Sequence, residues 1–219
     1  MSRQLENRKQ AGKLLSSKLS AYANLPDTII LALPRGGVPV AFEIAKALNL
    51  PLDLCLVRKL GLPSHPELAM GAIASNGVIV LNSYIIQSYQ VTKAEISAVV
   101  DRETEELARR DRLYRQNKPL PNVENKTIIL VDDGIATGST IRAALSLLRK
   151  QHPQNIIIAI PVADCSICFE LRQEVDEVIC LYETKDLYSI SSWYQDFSQT
   201  EDREVRELLA MLDRDRLIK

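Results

Sequence analysis

Aromatic side chains are scarce in this chain, at 5% of 219 residues, and histidine occurs only twice, as His65 and His152. Those two histidines lie far apart without ligand spacing. Cys165-x-x-Cys168 lacks a second metal-ligand pair, so neither a zinc site nor a redox motif is expected there. The other two cysteines, Cys55 and Cys180, fall inside apolar stretches and read as small core residues. An excess of one charge is also missing: the net charge is −1. That excludes a broad basic face, so no DNA partner is expected. No apolar run approaches the length of a membrane span; the longest, Ile156 to Ile160, is strand-sized, and no membrane association is expected. Met1-Ser2-Arg3-Gln4-Leu5-Glu6 is polar and charged, unlike a secretory signal, so the expected compartment is the cytoplasm. Repeats and low-complexity segments are absent.

What remains is ordinary globular material, with 46% hydrophobic and 25% charged residues. The length suits one domain over 1–219, with a leading helix in 1–26, a core in 27–181, and a hood with a terminal helix in 182–219. Such a domain buries about 70% of its unfolded surface.

The chain is organised around Ile128-Ile129-Leu130-Val131-Asp132-Asp133-Gly134-Ile135-Ala136-Thr137-Gly138-Ser139-Thr140. Four consecutive aliphatic residues read as a strand buried on both faces of a parallel sheet. Two carboxylates follow, then a loop of small residues, then an amphipathic helix from Ile141 to Lys150. Loop N–H groups and the free donors of a helix N-terminus make an anion cradle. Gly134 and Gly138 permit close approach, and Thr137, Ser139 and Thr140 add hydroxyl donors. Carboxylates cannot face the same anion, so they should face hydroxyls or a metal. A ligand with a phosphate and a nearby diol is a ribose 5-phosphate. No Lys follows Gly138, which excludes a P-loop, and the two acids displace a dinucleotide fingerprint.

Pro34-Arg35-Gly36-Gly37 follows a predicted strand over 28–33, and Pro39 opens a helix through Leu48. This second turn, with its Arg, suits pyrophosphate. A strand over 52–57 ends in Arg58-Lys59, cations on the ligand side of such a sheet. Residues 61–68 read as a loop in which His65 is a surface residue. Met70–Ala74 and Val78–Leu81 flank Ser75-Asn76-Gly77 as a hairpin. Thr92-x-x-Glu95 caps a helix to about Asn117, ended by Pro119 and Pro121. Its pairs Glu105–Arg109, Glu106–Arg110 and Asp111–Arg115 mark a solvated face. A strand over 155–160, a helix over 166–175 and a strand over 177–181 complete the alternation. The fold class is therefore α/β, a mainly parallel twisted sheet flanked by helices, with a small antiparallel hairpin. The aromatics gather in the tail as Tyr182, Tyr188, Trp193, Tyr194 and Phe197. Ser198-x-x-Glu201 caps a last helix to about Arg214.

The acidic stretch closely resembles the phosphoribosyl-pyrophosphate (PRPP) motif of the type I phosphoribosyltransferases. The resemblance runs from about Thr28 to Leu181. It is specific at the acidic motif and at Pro34-Arg35-Gly36-Gly37, where it looks like the xanthine–guanine branch. Over the whole chain, the match is to an uncharacterised group of predicted phosphoribosyltransferases. The resemblance implies that fold with a C-terminal hood and transfer of the phosphoribosyl group of PRPP–Mg²⁺ to a nitrogen acceptor, in nucleotide salvage a nucleobase. It implies that Asp132 and Asp133 hold the ribose diol and contribute to holding Mg²⁺. Ala136, Thr137, Gly138, Ser139 and Thr140 hold the 5-phosphate, and Arg35, Gly36 and Gly37 hold pyrophosphate. Arg58 and Lys59 act in catalysis beside the acids, and Trp193 or Phe197 meets the base. A loop from Gly61 to Leu68 closes over the centre. Dimers are common in the family, and a homodimer is carried over as an expectation. One departure stands out: 6-oxopurine enzymes carry a Lys just after the strand following the acidic motif, where this chain has Ala159-Ile160-Pro161-Val162. The same fold also admits a non-catalytic PRPP- or nucleotide-sensing regulator, or a non-catalytic subunit.

Overall fold

The four aliphatic residues Ile128–Val131 have no exposed surface, because the strand carrying them has a neighbour on each side. The computed structural model describes residues 4–66, 68–75, 77–115 and 121–217. These form two compact units, one of residues up to 55, 123–137 and from 153 on, the other of residues 56–122 and 138–152.

The first unit holds a five-stranded sheet. Its strands are β1 (Thr28–Ala32), β2 (Leu52–Leu54), β6 (Thr127–Val131), β7 (Asn155–Asp164) and β8 (Glu177–Thr184), in the order β2-β1-β6-β7-β8. All pairings are parallel. Near-continuous aliphatic runs in β1, β6 and β7 are what a sheet covered on both faces demands. Its helices are α1 (Arg8–Lys18), α2 (Gly37–Leu48), α6 (Cys165–Leu171) and α7 (Asp202–Leu217). α1 starts where the Asn7 side chain accepts the Gln10 N–H. It packs on α2, which also meets α7.

The second unit has a three-stranded antiparallel sheet of β3 (Val57–Gly61), β4 (Ala69–Ala74) and β5 (Ile79–Leu81). Its helices are α3 (Ser83–Ser88), α4 (Lys93–Arg115) and α5 (Ser139–Leu148). α4 opens on the expected capping box: Glu95 Oε2 accepts the Thr92 N–H at 2.8 Å, and Thr92 Oγ1 accepts the Glu95 N–H at 3.2 Å. No helix among the described residues is long and apolar enough to cross a membrane.

Several expectations are corrected. The strand read over 52–57 is two strands: β2 stops at Leu54, and β3 begins at Val57 in the other sheet. Arg58 and Lys59 therefore lie inside an antiparallel strand, opposite Ile73 and Ala72, rather than at the end of a parallel one. The charged face of α4 is not wholly solvated, since Glu103 and Arg115 are buried. β7 runs through Pro161 to Asp164, and β8 reaches Thr184. Pro161 is tolerated because β6 pairing has already ended at Val131–Ala159, so its missing N–H removes no bond there. α6 starts one residue earlier than expected, where Asp164 caps it by accepting the Ser166 N–H at 2.8 Å, and stops at Leu171, short of the expected 175. The last helix begins at Asp202, with Glu201 O accepting the Val205 N–H, so Ser198 is not its cap. The expectations placed on Glu67, Asn76, Asn117 and Pro119 lie outside the described residues.

Candidate functional site

β6 ends by delivering Asp132 and Asp133 to the carboxyl edge of the sheet, where a ligand crevice forms in open α/β sheets. Asp132 Oδ1 accepts the Asp133 N–H at 2.9 Å, which fixes the turn. The neighbouring turn after β1 is locked onto it. Leu33 N–H donates to Val131 O at 2.9 Å, and Gly37 N–H donates to Leu33 O at 3.1 Å. The peptide between Pro34 and Arg35 is cis. A Cβ on Gly36 would lie 2.0 Å from Asp133 Oδ2, and one on Gly37 would lie 2.7 Å from Val131 O and 3.0 Å from Asp132 Cα. Both glycines are therefore fixed by close approach: the turn expected to hold pyrophosphate and the acids expected to hold the diol are packed against each other.

Arg8, at the first turn of α1, completes this cluster. Its Nε donates to Asp133 Oδ2 at 2.8 Å, and its Nη1 donates to Ser198 O at 2.7 Å. The guanidinium carbon lies 3.8 Å from the centre of the Phe197 ring. Both charged side chains are nearly enclosed, Arg8 at 11% exposure and Asp133 at 14%. Tyr194 Oη donates to the main-chain O of Asp133 at 2.7 Å. Burial pushes the Tyr194 phenol up, and the Asp133 carboxylate adds to that. Asp132 keeps some surface but sits among densely packed atoms. This burial, and next the Asp133 charge, raise its carboxyl well above the usual range.

A cleft of about 530 Å³ opens here, bordered by Arg8, Arg35, Asp133, Phe197, Gln199 and Thr200. Arg35 Nη1 reaches Asp202 Oδ1 at 3.4 Å, a loose half-exposed pair. Of the two aromatic candidates, Phe197 borders the cleft. Trp193 stacks on Tyr182, ring centres 5.8 Å apart, in a core cluster with Leu5 and Val162. The tail carrying them is stitched to the start of the chain, with Leu5 N–H donating to Trp193 O and Gln195 N–H to Leu5 O, both at 2.8 Å.

Beyond the acids, Ile135 N–H donates to Val162 O at 2.9 Å, tying the loop to β7. Ala136, Thr137 and Thr140 are exposed. Gly138 caps α5 in the left-handed region, φ 73°, a conformation other residues adopt only at a cost. Ser139 borders a separate cleft of about 630 Å³ within the second unit, with Arg142 and Ser146 of the same helix.

In that unit, Arg58 Nε donates to Glu103 Oε2 at 2.7 Å, and Arg102 Nε donates to Glu103 Oε1 at 3.1 Å. Successive strand residues point to opposite faces, so Arg58 and Lys59 leave β3 on opposite sides. The 61–68 loop is held by Leu62 N–H to Leu68 O and Leu68 N–H to His65 O, both at 2.9 Å. His65 Nδ1 lies 3.0 Å from Ser64 Oγ. Among the cysteines, Cys180 Sγ donates to Tyr182 O at 3.3 Å. The interaction of Cys180 with Cys168, a pairing the spacing did not suggest, lowers the Cys168 thiol and raises that of Cys180.

Sequence reasoning missed Arg8, Tyr194 in its bonding role, and Glu103. Tyr194 lay within the noted aromatic cluster. Arg8 and Glu103 carried no signal of their own beyond being charges on predicted helices.

Residues 2–186 match the family described as Phosphoribosyl transferase domain. A Mycobacterium tuberculosis protein named "Putative phosphoribosyl transferase" is 38% identical over 209 residues, which is 95% of this chain and 46% of that protein. The chain thus spans about half the length of the curated relatives it matches. The crystal structure of the TT1426 protein from Thermus thermophilus aligns with a TM-score of 0.86 at 33% identity, over 95% of this chain and 99% of that one. The AQ2163 protein of Aquifex aeolicus aligns with a TM-score of 0.50 at 12% identity, over 92% of this chain and 85% of that one, a likeness of fold alone. Since the family match extends over most of its residues, the chain belongs to the phosphoribosyl transferase family, on the type I fold.

Proposed function

We propose that this protein transfers the phosphoribosyl group of PRPP–Mg²⁺ to a nitrogen acceptor, a nucleobase, releasing pyrophosphate in cytoplasmic nucleotide salvage. The observation that carries the reading is the interlock of Gly36 with Asp133 and Gly37 with Asp132. Two turns that suit the two ends of one donor are packed against each other.

In this reading Asp132 and Asp133 grip the ribose 2- and 3-hydroxyls. Residues 136–140 take the 5-phosphate through N–H and hydroxyl donors. Arg35 and the backbone at Gly36 and Gly37 take the pyrophosphate. The acceptor nitrogen attacks C1 as the C1–O bond to pyrophosphate breaks, and one carboxylate of the pair helps take the acceptor's proton. Charge grows on the leaving oxygens, so positioning and electrostatics supply most of the acceleration. Arg58 and Lys59, which leave β3 on opposite faces, are the further cations of this reading. Among the described residues no group of three or more His, Cys, Asp or Glu side chains converges on one point. Mg²⁺ binds through one or two carboxylates plus substrate phosphates rather than an all-protein cage. Asp132 and Asp133 would hold it, and it would neutralise phosphate charge. For the acceptor, support rests on Phe197, since Trp193 is engaged with Tyr182. With no cation along Ala159-Ile160-Pro161-Val162, a 6-oxopurine lacks its usual partner.

Pyrophosphate release from PRPP–Mg²⁺ across a panel of nucleobases tests the reading. Turnover with any base supports it. Tight PRPP binding without turnover favours the sensing regulator, and no binding refutes both. Asp132→Asn should abolish PRPP binding in a calorimetric titration while leaving the melting temperature close to wild type.

A further inference from the structure

We infer that Arg8 is a positioning residue for Asp133, holding that carboxylate in the orientation that grips the donor's diol; this rests on the function proposed above. Four independent contacts converge on the one acid. Arg8 Nε bonds Oδ2, which fixes the direction of the carboxylate. Gly36 stands against the same oxygen, close enough that a methyl group there would sit 2.0 Å away. Tyr194 Oη holds the main-chain O of the same residue. Asp132 Oδ1 holds its N–H.

The guanidinium itself is fixed in three ways: by Asp133, by Ser198 O at 2.7 Å, and by stacking on Phe197 at 3.8 Å. A planar fork can meet all three at once, whereas an ammonium is a point charge that cannot. The arrangement also has an electrostatic consequence. Two adjacent carboxylates repel a donor carrying a phosphate and a pyrophosphate. A cation on Asp133 reduces the negative field that the donor's phosphates meet. At 11% and 14% side-chain exposure, water screens this pair little. Arg8 acts through Asp133 and need not touch the donor.

The test compares wild type with Arg8→Ala, Arg8→Lys and Phe197→Leu. Each is titrated calorimetrically with PRPP–Mg²⁺ and with ribose 5-phosphate, and melted to check folding. Arg8→Ala should bind both ligands about ten- to hundredfold more weakly, the scale of a lost charge-assisted bond. Arg8→Lys should recover only part of that. Guanidinium ion at a sub-denaturing concentration should restore affinity to Arg8→Ala, where equal sodium chloride does not. If Arg8→Ala fails to fold, Phe197→Leu, which keeps the charge and removes its stacking face, should weaken binding several-fold. Wild-type affinity in Arg8→Ala overturns the inference. So does a loss that guanidinium fails to rescue, because that would be a structural role only. If wild type binds neither ligand, the proposed function fails first, and this inference falls with it.

Discussion

Replacing Gly36 with alanine adds one methyl group at a place where an atom already sits. Gly36 has φ −61° and ψ −33°, angles that alanine adopts without strain. On backbone grounds alone the change should stabilise the protein by about 0.4–1 kcal/mol, because alanine restricts the unfolded chain. The opposing effect is steric. The new Cβ would stand 2.0 Å from Asp133 Oδ2 and 2.5 Å from its Cγ. The carboxylate must retreat by more than about 1 Å to reach ordinary contact. That retreat breaks the 2.8 Å bond from Arg8 Nε. Losing a hydrogen bond to a charged group costs about 1.5–3 kcal/mol, and at this site water replaces it poorly. The net is a destabilisation of about 1–2 kcal/mol, or a melting temperature lower by about 2–8 °C for a chain of this size. Trp193, the single tryptophan, lies in the same unit and reports the transition by fluorescence. Donor affinity measured by calorimetry should fall together with the melting temperature. A Gly36→Ala protein that melts at or above wild type would refute the reasoning, since the acid would then have room to leave.

Other perturbations separate further parts of the structure. Glu103→Gln removes a buried carboxylate shared by Arg58 and Arg102, and urea unfolding should show a loss of about 1.5–3 kcal/mol. Burial pushes the Cys55 thiol up to about 12, so iodoacetamide at pH 8 should leave it unmodified in the native protein and label it in urea, as read by mass spectrometry. The Arg109 hydrogen bond holds the Glu106 carboxyl down at about 2, with Arg110 adding to it. A depressed value means that the stabilisation is present above the ordinary carboxylate range and fades as pH falls towards 2. These are largely surface pairs, so Glu106→Gln should cost less than about 1 kcal/mol at pH 7, with no difference from wild type by thermal melting below pH 2.

The parallel sheet was legible because aliphatic runs such as Ile128–Val131 belong to strands covered on both faces. The capping box at Thr92 and Glu95 is local chemistry and was equally readable. Where the reading failed, distant partners decided the outcome. Leu54-Cys55-Leu56-Val57 is one apolar run with no Gly or Pro, and nothing in it marks the passage from one sheet to another. Pro161 looked like the end of a strand; it is tolerated because the neighbouring strand stops first. Ser198 and Glu201 imitate a capping box, but the helix starts at Asp202. The acids and the Arg-Gly-Gly turn announce themselves in the sequence, whereas Arg8 joins Asp133 across 125 residues of chain. Glu103 likewise reads as one more charge on a charged helix until β3 is placed beside it.

The stitching of Leu5 to residues 193–195, together with the bond from Arg8 to Ser198, has a consequence for biosynthesis. A nascent chain whose sheet has already condensed still lacks the braces around Asp133 until residue 198 has cleared the ribosome. On the proposed reading, donor capture should therefore arrive late in translation, and a released chain ending at residue 185 should form the sheet yet fail to bind the donor.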